Sequence, residues 1–124
     1  MQASCLFVYG TLRRGSQNKF ARLLHSQAQF VGNGRVPGRL YRLAAYPGAL
    51  SSNTEGEWIR GEVYAMEDPR WILPALDDYE GPKFERVKLE AELDSGVRVS
   101  AWVYLYRGAP PAAARIPSGD WLRA

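Results

Sequence analysis

An α+β architecture, strands with a few short flanking helices, is what this chain predicts, and three patterns predict it. Residues 84–93 and 97–106 each alternate apolar with polar side chains, and Asp94-Ser95-Gly96 separates them, the pattern of a β-hairpin. Helical spacing of apolar residues is confined to two short stretches, 16–26 and 69–80. The other apolar segments are short and bounded by Gly, Pro or Asn, as strands are. The 124 residues suit one domain, 1–124, with one core and no internal repeat.

The first strand is the run from Cys5 to Tyr9, too short for a helix core and rich enough in aromatic and β-branched residues for a buried strand. Gly10 lets the backbone turn sharply or approach a bound group. Thr11 adds a hydroxyl, and the amides of residues 10–12 can converge on an anion or a developing oxyanion. A strand ending in an ordinary turn would carry the same residues. Phe20, Leu23 and Leu24 then fall at i, i+3 and i+4 of a helix over 16–26, with Ser16 or Asn18 as cap. His25, the only histidine, sits at its end, where the helix dipole favours it.

Residues 29–31 read as a short strand, Gly32-Asn33-Gly34 as a turn, and 36–43 as the next strand, with Pro37-Gly38 marking an edge or a bulge. Tyr46-Pro47-Gly48 is a loop, and 51–56 is polar and turn-like. Residues 57–66 form a strand in which Trp58, Arg60 and Glu62 alternate with Ile59, Gly61 and Val63.

Asp68-Pro69 opens the second helix, a cap followed by proline at the first helical position. Ile72, Leu73, Leu76 and Tyr79 form its apolar stripe, and Gly81-Pro82 ends it. Pro74 removes one intrahelical bond, which predicts a kink or two short pieces. Asp77, Asp78 and Glu80 therefore share the last turn, where each exposed carboxylate is disfavoured by about 0.3–1 kcal/mol. Such a broken local rule points either to function or to tolerated surface acids.

In the hairpin, Val87, Leu89, Ala91 and Leu93 face one way, as do Val97, Val99, Ala101, Val103 and Leu105. The other face of the second strand runs from Arg98 and Ser100 to Trp102, Tyr104 and Tyr106. Its shift from polar to aromatic indicates that the later half is covered or lines a cavity. Residues 110–114 are a small-residue connector, and Trp121 anchors the tail over 116–122.

Composition narrows the classes. Hydrophobic residues are 46% and charged residues 23%, the values of a globular chain rather than a disordered one. The net charge of +3 comes from scattered basic residues, so no nucleic-acid partner is expected. Cys5 is the only cysteine, which rules out an internal disulfide and fits the reducing cytoplasm as the expected location. It is expected to be buried and unreactive, with no base near it in sequence. One histidine and one cysteine leave little for a zinc site or a Cys–His pair, and no metal or cofactor is expected. No signal-peptide pattern opens the chain and no run reaches membrane-spanning length. Ser118-Gly119-Asp120 is not a nucleophile elbow, and the glycines after the first strand lack the ending of a phosphate loop.

Three motifs in order, Val8-Tyr9-Gly10-Thr11-Leu12, Tyr46-Pro47-Gly48-Ala49-Leu50 and Leu76-Asp77-Asp78-Tyr79-Glu80-Gly81, resemble the γ-glutamylcyclotransferase-like (AIG2-like) family. The small bacterial members are most similar, and the resemblance runs from about residue 6 to about residue 121. It implies a small mixed β-barrel-like sheet with short flanking helices and a cavity at one end, bordered by Tyr46-Pro47-Gly48. It also implies an intramolecular reaction, in which the α-amine of a γ-glutamyl group attacks its own γ-carbonyl. The products are 5-oxoproline and a released amine or amino acid. By the same resemblance, Glu80 is the proton acceptor, Tyr9, Gly10, Thr11 and Leu12 hold the substrate, and Tyr106 is a further substrate contact. Phe84 stands where relatives often have tyrosine, which bears on substrate choice. The implied protein takes a small-molecule γ-glutamyl substrate without cofactor, as a monomer or weak dimer. Two other readings fit the same residues: a non-catalytic module that binds an amino-acid-like ligand in this cavity, and an interaction protein that dimerises through the aromatic strand face.

Overall fold

A computed structural model describes residues 4–124. In chain order the elements are β1 (Ser4–Val8), α1 (Lys19–Gln27), β2 (Ala28–Pro37), β3 (Arg39–Arg42), β4 (Pro47–Leu50), β5 (Trp58–Met66), α2 (Pro69–Glu80), β6 (Phe84–Leu93), β7 (Arg98–Tyr106) and β8 (Arg115–Ile116). Single 3-10 turns occupy Ala112–Ala114 and Trp121–Arg123. Five strands close a barrel in the order β1-β5-β2-β6-β7. Neighbours run antiparallel except where β1 meets β7 and shuts the ring, with Cys5 opposite Ala101 and Leu6 opposite Trp102. A three-stranded sheet, β4-β3-β8, lies apart from the ring.

The predicted hairpin forms in the predicted register, with Val87 opposite Val103 and Ala91 opposite Val99. The turn closes through the Leu93 and Gly96 amides, which donate to Val97 and Leu93 carbonyls at 2.8 Å each. Asn18 caps α1, its side-chain oxygen accepting from the Phe20 and Ala21 amides at 2.7 and 3.3 Å. Asp68 caps α2 and Gly81 ends it at φ 79°, a conformation that L side chains avoid.

Five expectations are corrected. Gly32-Asn33-Gly34 is not a turn: β2 runs through it, paired on β5 and on β6. The glycines there serve a bulge between Phe30 and Gly32, and Gly34 lets β6 approach so closely that a Cβ would meet the Glu92 carbonyl at 2.7 Å. Pro37-Gly38 is a break between two strands in different sheets, and Pro47-Gly48 begins β4 rather than a loop. Pro74 leaves α2 in one piece and sits on its exposed side, as does Arg70 one turn earlier, whose carbonyl loses its intrahelical partner. Cys5 is half-buried rather than sealed in the core.

Alternation along β1 splits the interior in two. Leu6 and Val8 pack with Ala21, Leu24, Tyr64, Ile72, Leu73 and Leu76 beneath the helices. Phe7 and Tyr9 join Val36, Ile59, Val63, Ala91 and Val103, contributed from around the ring, together with Leu40, Ala49 and Ile116 of the second sheet. Each fully buried aliphatic or aromatic side chain contributes about 1.5–3 kcal/mol, so the two clusters dominate stability. β5 does not keep the polar face its sequence offers: Gly61, Glu62, Val63 and Tyr64 are all buried.

Gly61 marks the tightest contact of the ring. A Cβ there would lie 2.3 Å from the Val8 carbonyl and 2.6 Å from the Phe7 ring. Gly61→Ala is expected to lose about 1–3 kcal/mol through forced displacement of β1. A thermal melt at the parent value would show that β1 and β5 are not held as described.

Candidate active site

The turn after β1 is the first wall of a cavity of about 410 Å³. Tyr9, Gly10, Thr11 and Leu12 line it, as do Ala45, Tyr46 and Pro47 ahead of and at the start of β4. Tyr79 and Glu80 reach it from the end of α2, Lys83 from the following turn, Phe84 from the start of β6, and Tyr104 from β7. The three sequence motifs, far apart in the chain, thus meet at one hollow.

Each wall has a local cause. The Gly10 carbonyl accepts from the Arg13 amide at 3.1 Å, folding the chain back just past β1. Among the described residues no such turn bond takes up the Thr11 or Leu12 amide. Gly10 has negative φ, so its need is close approach: a Cβ would meet the Pro47 ring at 2.7 Å. The Thr11 hydroxyl shares a 2.7 Å hydrogen bond with the Tyr79 hydroxyl, to which Asn18 Nδ2 also donates at 2.8 Å. These bonds tie the β1 turn, the cap of α1 and the last turn of α2 together.

The three acids of α2 part company. Asp77 is gripped by Arg86, whose Nε and Nη2 donate at 2.9 and 3.2 Å, and by the Tyr104 hydroxyl at 2.7 Å. Burial opposes its ionisation, but those bonds outweigh burial and hold Asp77 below the ordinary carboxylate value. Asp78 is exposed. Glu80 turns into the cavity, and among the described residues no hydrogen bond or ion pair reaches its carboxyl. Burial alone lifts its pKa from 4.5 to about 7.

Two of the cavity's tyrosines, Tyr9 and Tyr104, are held back from ionising by their surroundings. Tyr9 donates to the Tyr104 carbonyl at 2.6 Å, and burial, then the nearby Glu80 charge, pushes its pKa far up. Tyr104 is raised by burial and by its bond to Asp77, with Glu80 adding to the effect. Lys83 is the one cation in the lining among the described residues. No group of His, Cys, Asp and Glu suited to a metal ion occurs among the described residues.

Of the residues anticipated from sequence, Tyr9, Gly10, Thr11, Leu12 and Glu80 come together at the cavity. Tyr106 does not line it: its ring packs on Phe84 at 5.7 Å, and its Cβ lies beside Gly48. Tyr104, two residues earlier on the same strand face, holds the lining position. Sequence reading also passed over Tyr79 and Lys83. The aromatic drift along β7 signalled a tyrosine without saying which, and an exposed lysine carries no signal by itself.

The fold and site define a class: a small α+β barrel protein in which a solvent-shielded carboxyl and the turn after the first strand line one cavity. The family model for gamma-glutamyl cyclotransferase, AIG2-like, matches residues 6–123. The gamma-glutamylcyclotransferase family protein YtfP of Escherichia coli strain K12 is 32% identical over 120 residues, 94% of this chain and 95% of that protein. The crystal structure of an aig2-like protein from Mus musculus superposes with a TM-score of 0.76 at 27% identity, covering 98% of this chain and 89% of that one. That of YkqA from Bacillus subtilis gives 0.75 at 29% identity, covering 97% of this chain but 40% of the larger YkqA chain. The chain belongs to the gamma-glutamyl cyclotransferase, AIG2-like family. No helix among the described residues is long and apolar enough to cross a membrane.

The shift on Glu80 has a consequence for stability. Because the folded value of about 7 exceeds the ordinary 4.5, the carboxyl contributes stability below about pH 4.5 and loses it as pH rises through about 7. Glu80→Gln, which cannot ionise, is expected to exceed the parent by roughly 1–3 kcal/mol at about pH 8.5, with the gap shrinking toward about pH 5. Urea titrations at the two pH values measure it. A gap that did not change with pH would mean that Glu80 is not desolvated.

Proposed function

We propose that this protein is a γ-glutamyl cyclotransferase in which Glu80 is the general base. The observation that carries the reading is the shared cavity: Glu80, with a pKa of about 7 and no hydrogen-bond partner among the described residues, lines it together with Thr11 and Leu12. A γ-glutamyl substrate places its α-ammonium at Glu80 and its γ-carbonyl oxygen at the loop. Glu80 takes a proton, and the freed amine attacks the γ-carbon to form the ring C–N bond. The loop amides stabilise the oxyanion by hydrogen bonds preset in the fold. The oxyanion collapses as the original γ-amide C–N bond breaks. Over the reaction two protons leave the attacking nitrogen and two reach the departing one, which leaves as an ammonium. Glu80 accepts and returns them in turn.

Both reacting groups belong to one molecule, so holding it in a five-membered ring geometry supplies much of the rate. Tyr104, rather than Tyr106, is the β7 tyrosine that meets the substrate. Lys83 offers a counter-charge to a substrate carboxylate.

A screen of γ-glutamyl amino acids, peptides and amines for 5-oxoproline release tests the reading. Turnover is expected for at least one class, and Glu80→Gln is expected to lower the rate by roughly 10²–10⁴-fold with the fold intact. Asp78→Asn, on the exposed side, should change the rate little. A folded Glu80→Gln protein releasing 5-oxoproline at the parent rate would sink the mechanism. Binding without turnover in the parent would favour the ligand-binding module instead. For the active parent, kcat/KM should rise with pH and level off above about 7, because the ionised carboxylate is the working form.

A further inference from the structure

The most enclosed charges of the protein lie behind the substrate loop, not in the cavity. Glu62 of β5 is 3% exposed and Arg13 of the loop 9%. Glu62 Oε2 accepts from Arg13 Nε at 3.2 Å, and Oε1 accepts from the Arg14 amide at 2.8 Å and from the Tyr64 hydroxyl at 2.9 Å. The opposite edge of the same guanidinium donates through Nη1 to Asp120 Oδ1 at 3.0 Å. Asp120 belongs to the C-terminal tail, 107 residues further along the chain. That tail is itself fixed on β5: the Gly119 carbonyl accepts from the Arg60 amide at 2.8 Å, and a Cβ on Gly119 would overlap the Trp58 carbonyl at 2.0 Å.

We propose that Asp120, Arg13 and Glu62 are positioning residues that hold the Gly10-Thr11-Leu12 amides at the cavity, so that the C-terminal tail is part of the site's machinery. This rests on the cyclotransferase reading for its kinetic consequences and on geometry alone for the clamp. The argument is one of constraint. The turn makes the Gly10–Arg13 backbone bond described above, and Thr11 is tied to Tyr79 on the cavity side. On the other side, Arg13 and Arg14 grip two oxygens of one carboxylate that stands opposite Val8 in the β1–β5 register. The loop is therefore pinned directly behind the residues that face the substrate. Only a guanidinium can reach both acids at once, since its planar fork presents separate donors to Glu62 and to Asp120. Removing one acid leaves the other to neutralise the arginine, so Asp120 can be changed without stranding a buried charge.

Asp120→Asn, Arg13→Lys and Arg13→Gln in the full chain test the clamp. Asp120→Asn is expected to lower kcat/KM for γ-glutamyl substrate about 10–100-fold at a temperature well below its melt, the scale of a small misplacement of binding groups. The pH inflection set by Glu80 should stay where it is, because the base is untouched. Arg13→Lys should lose less than Arg13→Gln, since the ammonium keeps the charge but cannot span both acids. A merely structural role predicts a lower melting temperature with unchanged kcat/KM in the folded protein, and that result would overturn the proposal. Hydrogen exchange of the Arg14 amide reports on the clamp without any substrate. Faster exchange in Asp120→Asn supports the clamp even if the parent turns over no γ-glutamyl compound, an outcome that would count against the catalytic reading alone. Exchange at the parent rate would overturn the clamp.

Discussion

The parallel pairing of β1 with β7 is the constraint on which the site depends. It closes the barrel and leaves β1 with both edges occupied, by β5 and by β7. The chain must then leave the sheet after Val8, where β5 offers Glu62 and β7 offers Tyr104. The cavity-lining loop of Gly10, Thr11 and Leu12 forms at that exit. α2 packs over the same face through Ile72, Leu73 and Leu76, which brings its last turn to the loop. A cavity bounded by segments so far apart in sequence follows from one strand's placement.

Two shielded acids, Glu62 fully buried and Glu80 partly, show how the same residue type serves opposite ends. Glu62 is surrounded by donors and makes three hydrogen bonds, so its burial organises the loop above it. Glu80 is shielded from water with no donor to compensate, and its raised pKa expresses that deficit. The first arrangement favours order. The second gives up some stability for a carboxyl whose pKa lies near neutrality, as the proposed general base requires. The accumulation of three acids at the C-terminal end of α2 makes sense in these terms: one is neutralised by Arg86, one is exposed, and one is desolvated.

The misread segments share a cause. Gly32-Asn33-Gly34 has the composition of a turn, yet pairing with both β5 and β6 keeps it extended and uses its glycines for close packing. Pro47-Gly48 looked like a loop because both residues disfavour strands locally, and it forms β4 because β3 supplies a partner. Tyr104 and Tyr106 lie on one face of β7 by the period of a strand. Choosing between them required knowing where β1 crosses, since Tyr9 reaches the Tyr104 carbonyl and leaves Tyr106 to pack on Phe84.

The sequence by itself determined the β6–β7 hairpin, the cap of α2 and the three motifs that meet at the site, and it narrowed the cap of α1 to Ser16 or Asn18. All of these rest on interactions within a few residues: alternation, a side chain capping nearby amides, a glycine where φ must be positive. It also placed Glu80 beside the helix-ending Gly81. Tertiary structure alone decided that Glu80 loses its water while Asp78 keeps it, that Glu62 is buried on a strand whose pattern offered it to solvent, and that Asp120 reaches Arg13. Desolvation and buried pairing depend on which distant segment covers a side chain, and no local pattern records that.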